Sequence, residues 1–99
     1  MRTLAIDDTR DFDVTRLERD YFGGIDALEN DGPWDRLYLD HDLGFTDSGE
    51  EWNGYCIMVW IEKHPEFAPK EIVCVSSNPV GIRRMEVVAD KLGIPFLKD

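Results

Sequence analysis

Short apolar runs punctuate this chain, and each one breaks abruptly into polar residues. Thr3-Leu4-Ala5-Ile6 is a strand candidate that stops at Asp7-Asp8-Thr9-Arg10. Leu37-Tyr38-Leu39 is a second, changing at once to Asp40-His41-Asp42 before Leu43-Gly44 turns the chain. Glu71-Ile72-Val73-Cys74-Val75, β-branched and apolar, is the clearest strand and runs into Ser76-Ser77-Asn78. Residues 13–17 carry a weaker strand pattern, and Phe96-Leu97-Lys98 allows a short last one.

Helical spacing lies between these runs. Asp20 is an N-cap for a helix with Tyr21, Ile25 and Leu28 on one face. Gly23-Gly24 weakens that helix and Asn30-Asp31-Gly32-Pro33 ends it. Asn53 caps a second helix over about 54–64 that is apolar almost all round, which requires burial against a sheet. His64 stands at its end before Pro65, where a histidine complements the helix dipole, and reads as structural. Asn78-Pro79 is a cap and first-turn signature for a third helix that buries Met85, Val88, Ala89 and Leu92 and stops at Gly93-Ile94-Pro95. Strand and helix therefore alternate, which predicts an α/β sandwich around a mainly parallel sheet with right-handed crossovers. Residues 45–52 have no periodicity and sit beside Asp40-His41-Asp42, either as a lid or as a plain surface loop.

Composition narrows the class. Ninety-nine residues, 42% of them hydrophobic, suffice for one compact core, so residues 1–99 are expected to form a single domain. No apolar run approaches the roughly 18 residues of a membrane span, and Met1 to Ile6 is followed directly by two acids, so neither a span nor a signal peptide is expected. The expected location is the cytoplasm. Cys56 and Cys74 both lie inside apolar runs without metal-like spacing and read as small buried hydrophobes. A net charge of −10, from 21 acidic and 11 basic residues, argues against broad DNA or RNA capture, so any nucleic-acid contact must be local. Asp47, Glu50 and Glu51 are most simply a solubilising surface, but carboxylates clustered without bases also suit a hard cation. Nothing in the pattern specifies an oligomeric state.

In a parallel sheet of this kind the first and third strands end at a switch point. Asp7, Asp8, Asp40, His41, Asp42, Ser76, Ser77 and Asn78 would then share one crevice. Adjacent carboxylates at a strand end repel one another unless a cation or an arginine lies between them. Arg10 is either that partner or a hook for phosphate oxygens. The helix start at Asn78 leaves backbone N–H groups for an anion, with Arg83 and Arg84 placed to fold over it. Each feature has a plain alternative: Asp40, His41 and Asp42 as residues solvating a strand end, and residues 78–84 as an ordinary capped helix with solvated arginines. Three strand ends, all polar in one direction, favour the crevice.

The acid pair after the first strand, Asp40 after the third and Ser76 after the fourth resemble the magnesium and phosphoacceptor arrangement of response-regulator receiver domains. The whole chain is more similar to a receiver-derived family, the cyclic-phosphate-processing receiver-like domains. That pattern appears in Asp7-Asp8-Thr9-Arg10, Leu39-Asp40-His41-Asp42-Leu43-Gly44, Gly54-Tyr55, Ser76-Ser77-Asn78-Pro79-Val80-Gly81 and Arg84-Met85-Glu86. The resemblance implies a reduced receiver-like, flavodoxin-like three-layer α/β sandwich and a hydrolase acting on cyclic phosphates of small nucleotides or RNA termini. Under it Asp7, Asp8 and Asp40 would hold Mg²⁺. His41 would be general acid or base with Asp42 orienting it, and Arg10, Ser76, Ser77, Asn78, Arg83 and Arg84 would bind phosphate. Two departures from a signalling receiver stand out. The segment between the first strand and Val14 is too short for a helical crossover, and the last strand and helix are lost or reduced, so Lys98 matches the receiver lysine only loosely. The alternatives are a phosphoacceptor or degenerate receiver acting as an interaction module, and a nucleotide-phosphate binder without turnover.

Overall fold

A computed structural model of the chain describes residues 1–43 and 51–99. Five strands, β1 (Thr3–Ile6), β2 (Arg16–Glu18), β3 (Arg36–Leu39), β4 (Ile72–Cys74) and β5 (Phe96–Lys98), form one parallel sheet in the order β2-β1-β3-β4-β5. Helix α1 (Tyr21–Asn30) links β2 to β3, α2 (Gly54–Lys63) links β3 to β4, and α3 (Pro79–Leu92) links β4 to β5. The sheet is parallel throughout, and the last strand is present though short.

The caps read from the sequence start all three helices. Asp20 accepts from the backbone N–H of Gly23 at 2.7 Å, Asn53 from Cys56 at 3.1 Å and Asn78 from Gly81 at 3.0 Å. Gly93, at φ 71, ends α3 in the left-handed conformation that favours glycine. Gly24 has a packing reason to interrupt α1. A Cβ there would meet Ile6 Cδ1 at 2.6 Å and Ile57 Cδ1 at 3.3 Å, so its absence lets α1 close onto the sheet and onto α2.

In register, Leu4, Ile6, Leu37, Leu39, Ile72 and Cys74 point to one side of the sheet. They pack there with Ala27 and Leu28 of α1, Ile57, Met58 and Ile61 of α2, and Met85, Val88 and Ala89 of α3. Every helical connection moves across the sheet in the same direction, and right-handed crossovers then place all three helices on the same face. The α/β receiver-like sheet is as expected, but the layering differs. Among the described residues there is one helical layer and one sheet layer, where three layers were expected. The missing crossover helix is the cause: the 7–15 connection returns over the opposite face as bare chain, and Phe12 stacks on Tyr38 there with ring centroids 5.3 Å apart. Thr15 N–H donates to the Thr3 carbonyl at 3.0 Å and delivers the chain into β2, which therefore starts at Arg16, later than the 13–17 pattern suggested.

Helix α2 corrects a second expectation. Gly54, Ile57, Met58 and Ile61 are buried, but Tyr55, Cys56, Val59 and Trp60 on its other side are only half-buried. Cys74 is buried as expected and Cys56 is not fully so; both thiols are free. His64 caps α2, with Nδ1 3.0 Å from the Trp60 carbonyl and its ring stacked on Trp60, in keeping with a structural role. No helix among the described residues is long and apolar enough to cross a membrane. Of the 45–52 segment, all but Glu51 and Trp52 lies outside the described residues, as does Gly44.

Two glycines separate close approach from backbone strain. A Cβ on Gly54 would strike the Asp40 carbonyl, whereas nothing lies within 4 Å of one on Gly93. Gly54→Ala is expected to lose about 1–3 kcal/mol through overpacking against rigid backbone. Gly93→Ala should lose roughly 1–2 kcal/mol through its positive φ alone. Urea titrations with unchanged m-values check both, and a neutral Gly54→Ala would refute the contact.

Candidate functional site

The carboxyl ends of β1 and β3 are adjacent, since Ile6 pairs with Leu39 and the Asp40 N–H donates to the Ile6 carbonyl at 3.1 Å. Asp7 and Asp8 therefore come beside Asp40, with ligand oxygens from all three within 4.8 Å of one another. Asp7 is 2% exposed, and its Oδ1 accepts from the N–H groups of Thr9 at 3.0 Å and Arg10 at 2.8 Å. Asp8 is exposed and Asp40 half-buried. Among the described residues none of the three forms an ion pair with Lys, Arg or His. Burial pushes the Asp40 carboxyl above the ordinary aspartate value; the Asp42 N–H opposes this, and the charges of Asp7, Asp42 and Asp8 add to it. Three carboxylates this close make a donor set of hard oxygens that fits a divalent cation such as Mg²⁺.

His41 is 6% exposed and wedged between two helix starts. Its carbonyl accepts from Gly54 N–H at 2.7 Å, and a Cβ on Gly81 would run into its ring. The Gly54-Tyr55 and Asn78-to-Gly81 strings of the sequence thus share one cause, the close fit of α2 and α3 around the Asp40-His41 turn. His41 Nδ1 lies 3.0 Å from Asp42 Oδ1 and 3.5 Å from Asn78 Nδ2. A single Nδ1 cannot both donate to the first and accept from the second. The shorter contact to a carboxylate fixes the tautomer with the proton on Nδ1. Nε2 is then buried without a partner among the described residues, and Nδ1 is the edge of the ring that meets polar groups there. The expected Asp42–His41 contact is present. Ser76, 7% exposed, uses its Oγ to accept from Asn78 N–H at 3.0 Å, and Ser77 is exposed.

The arginines are placed differently from one another. Arg10 is exposed; its backbone, not its guanidinium, engages Asp7. Arg83 is exposed on the first turns of α3 beside Pro79 and Val80. Arg84 instead lies over the Tyr55 ring, 4.1 Å from its centroid, which ties it to α2. Lys98 pairs with Glu86 at 3.1 Å on α3. Arg19 went unnoticed in the sequence. Its guanidinium donates to the carbonyls of Arg10 at 2.7 Å and Asp7 at 3.4 Å and pairs with Asp11 at 2.5 Å, closing the turn that carries Asp7 and Asp8. No motif or periodicity marks such a residue, because two of its three partners are backbone oxygens.

The raised Asp40 carboxyl has a signed consequence. Its charged form weighs against the fold, fully so above the raised value and not at all below the ordinary 3.8. Asp40→Asn is therefore expected to raise the metal-free Tm at pH 7 by a few degrees, where 1 kcal/mol corresponds to roughly 4–8 °C. The gain should vanish on acidification toward pH 4 or so. Mg²⁺ should raise the wild-type Tm and not that of the variant. Calorimetric scans with and without EDTA check this, and equal Tm values for both proteins across pH would refute it.

A family model described as the cyclic-phosphate processing receiver domain matches residues 2–91, a span that includes both strand-end acid groups, α1, α2 and all but the last residue of α3. Comparisons with curated proteins and with solved structures gave no match. With nine-tenths of its length under that match, on a parallel receiver-like sheet, the chain belongs to the cyclic-phosphate processing receiver domain family.

Proposed function

We propose that this single domain is a phosphoesterase that opens cyclic phosphates on small nucleotides or RNA termini, working in the cytoplasm. The observation that carries this reading is the acid trio, Asp7, Asp8 and Asp40, gathered without a basic partner among the described residues at the strand ends of a family tied to cyclic phosphates. Asp7, Asp8 and Asp40 would hold Mg²⁺. Bound there, the ion supplies neutralisation of charge on the phosphoryl oxygens.

The chain's own groups supply the rest. Exposed Arg10, two residues after Asp8, and exposed Arg83, on the first turns of α3, would offer forks to the phosphate oxygens, and the chain at Ser77 ahead of α3 would offer a backbone N–H group. Ser76 holds that start in place through Asn78 N–H. Arg84, stacked on Tyr55, assists by bracing the two helices. In hydrolysis a water oxygen bonds to phosphorus and one phosphorus–ribose oxygen bond breaks. The leaving oxygen takes the Nδ1 proton of His41 as the proton released by water replaces it at Nδ1. Asp42 at 3.0 Å orients Nδ1 for this exchange. The acidic surface keeps long polyanions away, which suits a small nucleotide or a chain end.

The phosphoacceptor reading has less support, because Lys98 is engaged with Glu86. Phosphorus NMR with 2′,3′-cyclic AMP tests the proposal. Wild type is expected to convert the cyclic resonance to a monoester, with EDTA abolishing conversion. Asp40→Asn and His41→Ala should each slow it by on the order of 10²-fold or more. An unchanged spectrum together with acetyl-phosphate labelling of Asp40 would overturn hydrolysis in favour of the receiver reading, and binding without conversion would favour a sensor.

A further inference from the structure

The half-buried side of α2 is not covered by another element among the described residues. Together with Tyr21 at the start of α1 and Trp52 just before the α2 cap, the α2 residues Tyr55, Val59, Trp60 and Lys63 line a cleft of about 250 Å³. We propose that this cleft binds the base of the nucleotide whose phosphate sits at the acid trio, an inference that rests on the phosphoesterase reading and names the part of the substrate it recognises.

Position comes first. Gly54 is the residue that contacts the Asp40-His41 turn, through its N–H to the His41 carbonyl. Trp52 and Tyr55 stand two residues before it and one after it, so their Cα atoms lie within about 8 Å and 4 Å of the Gly54 Cα. The cleft and the acid site are thus tied to the same helix start. The cleft's chemistry matches a flat, neutral ligand. Tyr21 and Trp52 stack with centroids 4.6 Å apart at 27°, and Phe22, 59% exposed, meets the edge of the same indole. The volume falls below the roughly 300–1,000 Å³ of drug-sized sites, which suits one ring system and not a whole nucleotide. Trp52 also carries an unmet need. Its Nε1 has no hydrogen-bond partner among the described residues, and the indole stacks on Tyr21.

The charge balance gives the cleft a purpose. With three carboxylates at the phosphate end, contacts to the uncharged ring add affinity beyond what a bound cation and the arginines give. Binding energy from a remote ring then positions the reacting centre. Base stacking on aromatic side chains is tolerant of base identity, which fits a site that reads the presence of a base.

Nitrogen-15 NMR of the full chain separates this proposal from the reaction it rests on. Adenosine, which has no phosphate, is expected to shift the indole N–H signals of Trp52 and Trp60 and leave that of Trp34, which is 1% exposed and bonded to the Ala27 carbonyl. Trp52→Ala should weaken 2′,3′-cyclic AMP binding by on the order of 10- to 100-fold, and Trp52→Tyr by much less. If adenosine shifts the indoles but no cyclic phosphate is converted, the base site stands and the phosphoesterase reading fails. If a base-free ribose cyclic phosphate is converted as fast and bound as tightly as 2′,3′-cyclic AMP, or adenosine moves no indole signal, the base site is overturned. The wild-type titration keeps the test decisive even where Trp52→Ala does not fold.

Discussion

The Asp40-His41 turn fits between the starts of α2 and α3 only because residues 54 and 81 lack side chains. Gly54 closes against the Asp40 carbonyl, and Gly81 leaves room for the His41 ring. That fit does more than pack two helices. It fixes the end of β3 beside the end of β1, brings Asp40 to Asp7 and Asp8, and aims His41 Nδ1 at Asp42 and Asn78. Rigid backbone contacts of this kind hold side chains to the tolerance that chemistry needs, whereas a surface loop does not.

Against that fit stands electrostatic repulsion. Burial and neighbouring charge both oppose ionisation of Asp40, and no basic side chain among the described residues relieves it. Asp7 is steadied instead by two backbone N–H groups and by the Arg19 clip on its turn. A fold selected for stability alone would place an arginine here. Repulsion retained at a strand-end crevice is a cost that a bound cation would relieve.

Much of this was legible in the sequence because it depends on local rules. Caps at Asp20, Asn53 and Asn78, the β-branched run at Ile72-Val73-Cys74 and the polar strand ends each carry their cause within a few residues. The parallel sheet and the gathering of Asp7, Asp8 and Asp40 followed from chain order and crossover handedness. What stayed hidden depends on distant partners. The single helical layer follows from one bare connection whose path is set by Phe12 on Tyr38. The open side of α2 could not be told from its buried side, since Tyr55, Val59 and Trp60 are as apolar as Ile57 and Met58. Arg19 contacts backbone oxygens, which no residue pattern encodes, and the motif glycines explain themselves only once the His41 ring lies against α3.

The central claim is that the strand-end carboxylates form one cation and phosphate site within a surface that is acidic everywhere. Mn²⁺ titrated into the nitrogen-15-labelled chain tests it most directly, because a bound paramagnetic ion erases nearby amide signals. Selective loss of the signals of residues 7–10 and 40–42 at substoichiometric Mn²⁺ is predicted, with those of Asp35 and Glu71, at the opposite ends of the strands, retained. Uniform broadening of acidic residues over the whole surface, or none at residues 7–10 and 40–42, would contradict it.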